Sequence, residues 1–74
     1  MDNKTRNIPQ KIAKFIKEKR LARGQSQKEF AVDVFGDDKH RPWISKIENG
    51  RGITLDTLDR VFTALDCDIE IIEL

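Results

Sequence analysis

The chain has 74 residues, a net charge of +1 and a single cysteine, Cys67, which limits it to one small domain without an internal disulfide, as in a reducing cytoplasm. Its charges are uneven, because residues 1–23 carry eight Lys/Arg against two acids and residues 52–74 carry one against six, and the basic part is suited to phosphate. No apolar run reaches the roughly 18 residues of a membrane span, so we expect no membrane partner. The chain has one His and one Cys, too small a set for a metal site or a catalytic nucleophile. We therefore expect no metal, no cofactor and no enzymatic activity.

The N-terminal third of the chain predicts one helix after a polar segment. Residues 1–7 are expected to form a flexible arm. The first helix is predicted over residues 9–23, because Pro9 suits a first turn, apolar residues recur at helical spacing and Gly24 is a natural stop. Arg20 falls close to the apolar stripe of this helix, so its charge needs a partner in the folded chain.

Two short helices with a glycine-containing turn between them are predicted next. Ser26 and Glu29 form a capping-box pattern at the start of a helix over residues 27–35. Pro42 suits the first turn of another helix over residues 41–48, and the Asn-Gly pair that follows would end it. A short helix, a turn and a second short helix are the parts of a helix-turn-helix.

The C-terminal part predicts a helix and then a strand. Thr54 is a candidate N-cap for a helix over residues 55–65. Residues 67–73 are rich in isoleucine and acids and predict a strand, which has no partner strand in its own chain. Pairing with the same strand of a second copy would solve this, and the alternatives are a strand folded back on its own domain or a disordered tail. The dimer contacts would then be Ile69, Ile71 and Ile72.

The stretch Ile16–Leu65 resembles the lambda-repressor-like, Cro-type (XRE) helix-turn-helix family. The matching residues are Arg20 in the first helix, S-Q-K-E-F-A at 26–31, I-S-K-I-E-N-G at 44–50, T-L-D-T-L at 54–58 and A-L-D at 64–66. The resemblance implies an all-α, four- to five-helix DNA-binding domain from a bacterium, phage or mobile element, here with one C-terminal β-strand paired across a dimer. The chain departs from the family in its longer turn before the third helix.

The resemblance also implies which residues meet DNA. In this motif the third helix lies in the major groove. The base-contacting positions carried over are Arg41, Pro42, Trp43 and Lys46. The phosphate-contacting positions carried over are Gln27, Asn49 and Arg51. Beside them, Lys28, Lys39 and His40 are expected to add attraction for phosphate. Arg20 and Glu48 match a structural ion pair.

Two of these residues have alternative roles. Trp43 would either touch a thymine methyl or a sugar from the exposed face or turn inward as a core aromatic. His40 would either attract phosphate or serve only as a turn residue in place of an N-cap.

Two functions fit these features. The first is a dimeric, sequence-specific repressor that reads a palindromic double-stranded DNA operator. The second follows from the tail, which is similar to the arrangement in HipB-like antitoxins: the chain would bind and neutralise a kinase-fold toxin and autoregulate its operon.

Overall fold

The structure, a computed structural model, describes residues 6–74, so most of the predicted N-terminal arm lies outside the described residues. Its helices are α1 (Ile8–Ala22), α2 (Gln27–Phe35), α3 (Arg41–Glu48) and α4 (Leu55–Ala64). The all-α fold class predicted from the sequence is confirmed for the described residues. None of these helices is long and apolar enough to cross a membrane.

The ends of the helices are set by local hydrogen bonds. At the start of α2 the Ser26 hydroxyl accepts from the Glu29 amide at 3.0 Å, and the Ser26 amide donates to the Glu29 carboxylate at 2.8 Å, so the predicted capping box is confirmed. The predicted N-cap Thr54 accepts from the Thr57 amide at 3.1 Å. These bonds satisfy amides that have no partner within a helix.

The end of α3 is a Schellman turn. The Arg51 amide donates to the Lys46 carbonyl at 2.9 Å, and the Gly50 amide donates to the Ile47 carbonyl at 3.0 Å. Gly50 has a φ of +77°, which glycine adopts without the cost that a Cβ imposes. This turn closes the helix-turn-helix and leads the chain to α4.

One apolar core joins the four helices. Its largest fully buried side chains come from every helix: Ile16, Phe30, Ile44, Ile47 and Val61. α4 adds Leu58 and Phe62, each 8% exposed, so these two side chains are used inside the chain's own core. Phe15 lies at the edge, with its ring centroid 5.7 Å from that of Phe62.

A 3₁₀ turn over Asp38–His40 lies between α2 and α3. It occupies the turn that the resemblance predicts to be longer than usual. Asp37 caps this turn, because its carboxylate accepts from the Lys39 amide at 2.9 Å. The extra residues therefore form a hydrogen-bonded connection, and α3 still begins at Arg41.

The C-terminal segment differs from the prediction. Residues 67–74 are neither helix nor strand in the described chain, so the strand predicted over 67–73 is not formed within one copy. The reason is that a strand needs a hydrogen-bonded neighbour, and residues 6–66 offer no strand beside it. Asp66, with a φ of +56°, reverses the chain after α4, and Ile69 then lies in an apolar groove with α1 and α4 side chains.

Candidate nucleic-acid interface

Helix α3 has one buried face and one exposed face. Ile44 and Ile47 are each only 1% exposed and fix the helix against the core. The exposed side chains of α3 include all four base-contacting positions carried over from the family: Arg41, Pro42, Trp43 and Lys46. The structure therefore leaves all four residues exposed on the part of α3 that faces away from the core, and we call this set the reading surface.

Trp43 is on this surface and not in the core. Its side chain is 47% exposed, whereas the adjacent Ile44 is 1% exposed. The Lys46 ammonium lies 5.0 Å from the centroid of the Trp43 ring, within the range of a cation–π contact. The core-aromatic alternative for Trp43 is therefore set aside.

A buried ion pair ties the end of α3 to α1. The Arg20 Nε–H donates to Glu48 Oε2 at 2.6 Å and its Nη2 donates to Glu48 Oε1 at 3.0 Å. The two side chains are 7% and 3% exposed. Arg20 Nη1 also donates to the Gln25 carbonyl at 2.7 Å, so the guanidinium fixes the loop before α2 as well.

Gln27, expected to contact phosphate, has a partner within the protein. Its side-chain Nε2 donates to Glu48 Oε1 at 3.2 Å. The residue is half-buried at the first position of α2. One N–H of the amide is thus used to hold the start of α2 beside the end of α3, and the amide retains a second N–H and its carbonyl oxygen.

The other expected phosphate contacts fall into two groups. Lys28, Lys39 and Arg51 have exposed side chains. Asn49 is exposed too, but its amide donates to the Ser45 carbonyl at 2.8 Å and so helps to close the end of α3.

His40 is engaged in the turn before α3. Its Nδ1 lies 2.8 Å from Asp37 Oδ1, and its ring stacks on Phe35 at a centroid distance of 4.9 Å. The hydrogen bond to His40 is the main cause that lowers the pKa of the Asp37 carboxyl from its ordinary 3.8. These contacts make His40 part of the turn before α3.

Several contacts of this site had no specific signal in the sequence. They are the hydrogen bond from Gln27 to Glu48, the stacking of His40 on Phe35, and the packing of Gln10 against Gly50. A weak signal existed for the contact between Trp43 and Lys46, because residues three apart on a helix are neighbours.

Comparison with protein families gives one match. A family model described as helix-turn-helix covers residues 16–72 of the chain. The chain belongs to this helix-turn-helix family. It is a DNA-binding regulator of the XRE, lambda-repressor-like type, as its motifs predicted. Comparison with curated proteins and with solved structures gives no significant match.

Membership of the helix-turn-helix family identifies which helices of the chain form the DNA-binding motif. The matched range contains both helices of the motif and the whole reading surface. In helix-turn-helix proteins the second helix of the motif enters the major groove and the first crosses the backbone. In this chain those helices are α3 and α2.

Proposed function

We propose that the chain is a sequence-specific repressor that acts as a dimer and reads a palindromic operator in the major groove. The observation that carries the proposal is the exposed row of Arg41, Pro42, Trp43 and Lys46 on α3, opposite its buried pair of isoleucines. Base edges in the major groove distinguish all four base pairs, so one exposed helix face suffices to read sequence there.

Arg41 and Lys46 supply the polar part of the reading surface. Arg41 begins α3 and is exposed, and its planar fork matches guanine O6 and N7. Lys46 is exposed as well, and as a single positive charge it would reach guanine or phosphate. Arg41 is therefore assigned to one guanine in each half-site.

The start of α2 is suited to phosphate. The capping box uses the amides of Ser26 and Glu29, which leaves the amides of Gln27 and Lys28 without an acceptor in the first turn of the helix. Backbone amides at a helix N-terminus attract anions, and the Lys28 side chain adds a positive charge. Lys39, His40, Asn49 and Arg51 complete the proposed phosphate contacts.

The test compares variants on selected and random DNA at one salt concentration. Arg41→Ala should lower affinity for the selected operator and relax the preference at one base position per half-site. Gln27→Ala should weaken binding to both DNAs about equally, because phosphate contacts carry no base information. Arg60→Ala on α4 removes the same charge outside the reading surface and should change little. Equal affinity of the wild type for operator and random DNA would refute the specific repressor.

The dimer is proposed to form through the C-terminal tail. Ile71 and Leu74 are each 93% exposed and Ile72 is 71% exposed, which is unusual for apolar side chains. Ile69 lines a groove with α1 and α4 residues. Antiparallel pairing of two tails about a two-fold axis would satisfy both strand edges and cover these side chains.

Sedimentation of a chain truncated after Asp66 tests the dimer. The truncated chain should be a helical monomer with weaker operator binding, because two α3 helices must be held about 34 Å apart to read one face of DNA. Leu58 and Phe62 are each 8% exposed in the full chain, so the exposed tail is the surface that we propose for the dimer. A truncated chain that stays dimeric would contradict the role of the tail.

An antitoxin function is the second candidate, and the same tail favours it. The exposed apolar side chains of the tail alternate with Asp68, Glu70 and Glu73, which suits a basic, apolar partner surface such as that of a kinase-fold toxin. A toxin-like kinase gene directly beside the gene would favour this function. Co-purification of that neighbour with the full chain, and its loss on truncation after Asp66, would establish it.

A further inference from the structure

The most exposed aromatic ring of the described chain lies on the reading surface. Trp43 is the single tryptophan, and nearly half of its side chain is open to solvent on the first turn of α3. The first turn is the part of a recognition helix that meets base edges. The core does not include this ring, because α3 contributes Ile44 and Ile47 to the core instead.

The ring is held in place by Lys46. The Lys46 ammonium covers one ring face at 5.0 Å from the centroid. The stem of Lys46 in turn runs beside Gly52, where a Cβ would lie 3.8 Å from Lys46 Cδ. The loop after α3 therefore lies beside Lys46, the Lys46 ammonium lies over the indole, and 47% of Trp43 remains exposed to solvent.

We propose that Trp43 reads the 5-methyl group of one thymine in each half-site of the operator, an inference that rests on the DNA-binding function proposed above. The indole has one N–H donor and no acceptor, so it lacks the paired groups by which Arg or Asn identifies a base. Its ring surface is apolar, and the apolar group on base edges in the major groove is the methyl group of thymine. Arg41, two residues earlier, would read guanine in the same half-site.

The experiment removes the methyl group from the DNA and leaves the base pairing unchanged. The operator is first selected from random duplexes with the full-length chain. Each thymine is then replaced in turn by deoxyuridine, and the dissociation constant is measured at fixed salt. One thymine per half-site should show a loss of about fourfold, the factor expected for one buried methyl group. Replacement in both half-sites should give about the square of that factor.

Variants of the reading surface assign the effect to a residue. Trp43→Ala should bind the thymine and deoxyuridine operators with equal affinity, whereas Arg60→Ala on α4, outside the reading surface, should keep the wild-type difference. Circular dichroism checks that both variants are folded, as expected for exposed side chains. Cytosine and 5-methylcytosine at the same position provide a second comparison, in which the methyl group should again strengthen binding only when Trp43 is present.

The possible results separate the inference from the proposed function. If an operator is selected but Trp43→Ala weakens the thymine and deoxyuridine forms equally, Trp43 contacts a sugar or phosphate, and the methyl reading is overturned while the repressor stands. If Trp43→Ala keeps the wild-type difference, the methyl group is read by another residue and the inference is also overturned. If no operator is selected, the repressor function fails first.

Discussion

Replacing Glu48 by Gln should destabilise the domain strongly, because Glu48 neutralises a buried guanidinium. The Glu48 carboxylate accepts on both oxygens: from Arg20 Nε at 2.6 Å, from Arg20 Nη2 at 3.0 Å and from Gln27 Nε2 at 3.2 Å. A glutamine has the same shape but one acceptor oxygen, so its NH₂ group would face a donor. The Arg20 charge would then stay buried without a counter-ion.

The size of the effect follows from this burial. The side chains of Arg20 and Glu48 are 7% and 3% exposed, and breaking such a pair on one side costs about 3–5 kcal/mol. A domain of 74 residues has a total free energy of unfolding of about 4–11 kcal/mol. Glu48→Gln should therefore remove a large part of the stability and lower the urea midpoint by about 3–5 M for a slope of about 1 kcal/mol per molar.

A double variant shows whether the loss comes from the missing Arg20–Glu48 attraction or from an Arg20 charge that is buried without a counter-ion. Arg20→Met with Glu48→Leu removes both charges and fills the space with apolar atoms, which is often close to neutral. The Gln25 carbonyl would lose its bond from Arg20 Nη1, at about 1 kcal/mol, so the double variant should be much more stable than Glu48→Gln. A loss below about 1 kcal/mol for Glu48→Gln, the range of surface pairs, would refute this reasoning.

Three further predictions concern single turns. Gly50→Ala should lower the free energy of unfolding by about 1–2 kcal/mol, measured by thermal unfolding, because the φ of +77° is unfavourable for alanine and the new Cβ would lie 2.6 Å from Gln10 Nε2. Adding Gln10→Ala removes the close contact but not the unfavourable φ, so it should recover only part of the loss. Ser26→Ala should cost about 1 kcal/mol by urea unfolding, as for other N-caps, and an unchanged midpoint would contradict the capping role. The pKa of Asp37 is lowered mainly by the hydrogen bond to His40. The ionised Asp37 therefore stabilises the fold fully at a pH above the ordinary pKa of 3.8, and this stabilisation is lost as the pH falls below that value. Asp37→Asn should remove this component from the pH dependence of the thermal midpoint, and a variant with the same pH profile as the wild type would contradict the prediction.

The sequence predicted the parts of the fold that depend on neighbouring residues. The capping box of Ser26 and Glu29 lies within one turn, so residue types at fixed spacing suffice to identify it. The burial of Ile44 and Ile47 follows from helical spacing in the same way. These local signals placed α2 and α3 and therefore the reading surface.

Other features depend on parts of the chain that are distant in sequence. Gln27 meets Glu48 across 21 residues, and no local pattern identifies that contact. The sequence left the burial of Trp43 open for the same reason. Whether its ring is exposed depends on how completely side chains from the other helices fill the core. The tail illustrates a third limit: strand-forming residues over 67–73 describe a preference, and a strand also requires a neighbouring edge that residues 6–66 do not provide.

Glu48 links the stability of the domain to the way it would hold DNA. Glu48 is the last residue of α3, and its carboxylate pairs with Arg20 of α1 and accepts from Gln27 at the start of α2. A Gln27 amide that is already fixed by one N–H can offer the other to phosphate with less loss of side-chain freedom. Under conditions where Glu48→Gln remains folded, it should therefore weaken binding to operator and random DNA by similar factors, as Gln27→Ala should, because neither change touches the side chains of α3 that we propose to read bases. Competition binding at fixed salt measures both factors. A change in base preference in Glu48→Gln would instead mean that the ion pair sets the orientation of α3 in the groove, and that the phosphate and base contacts are not independent.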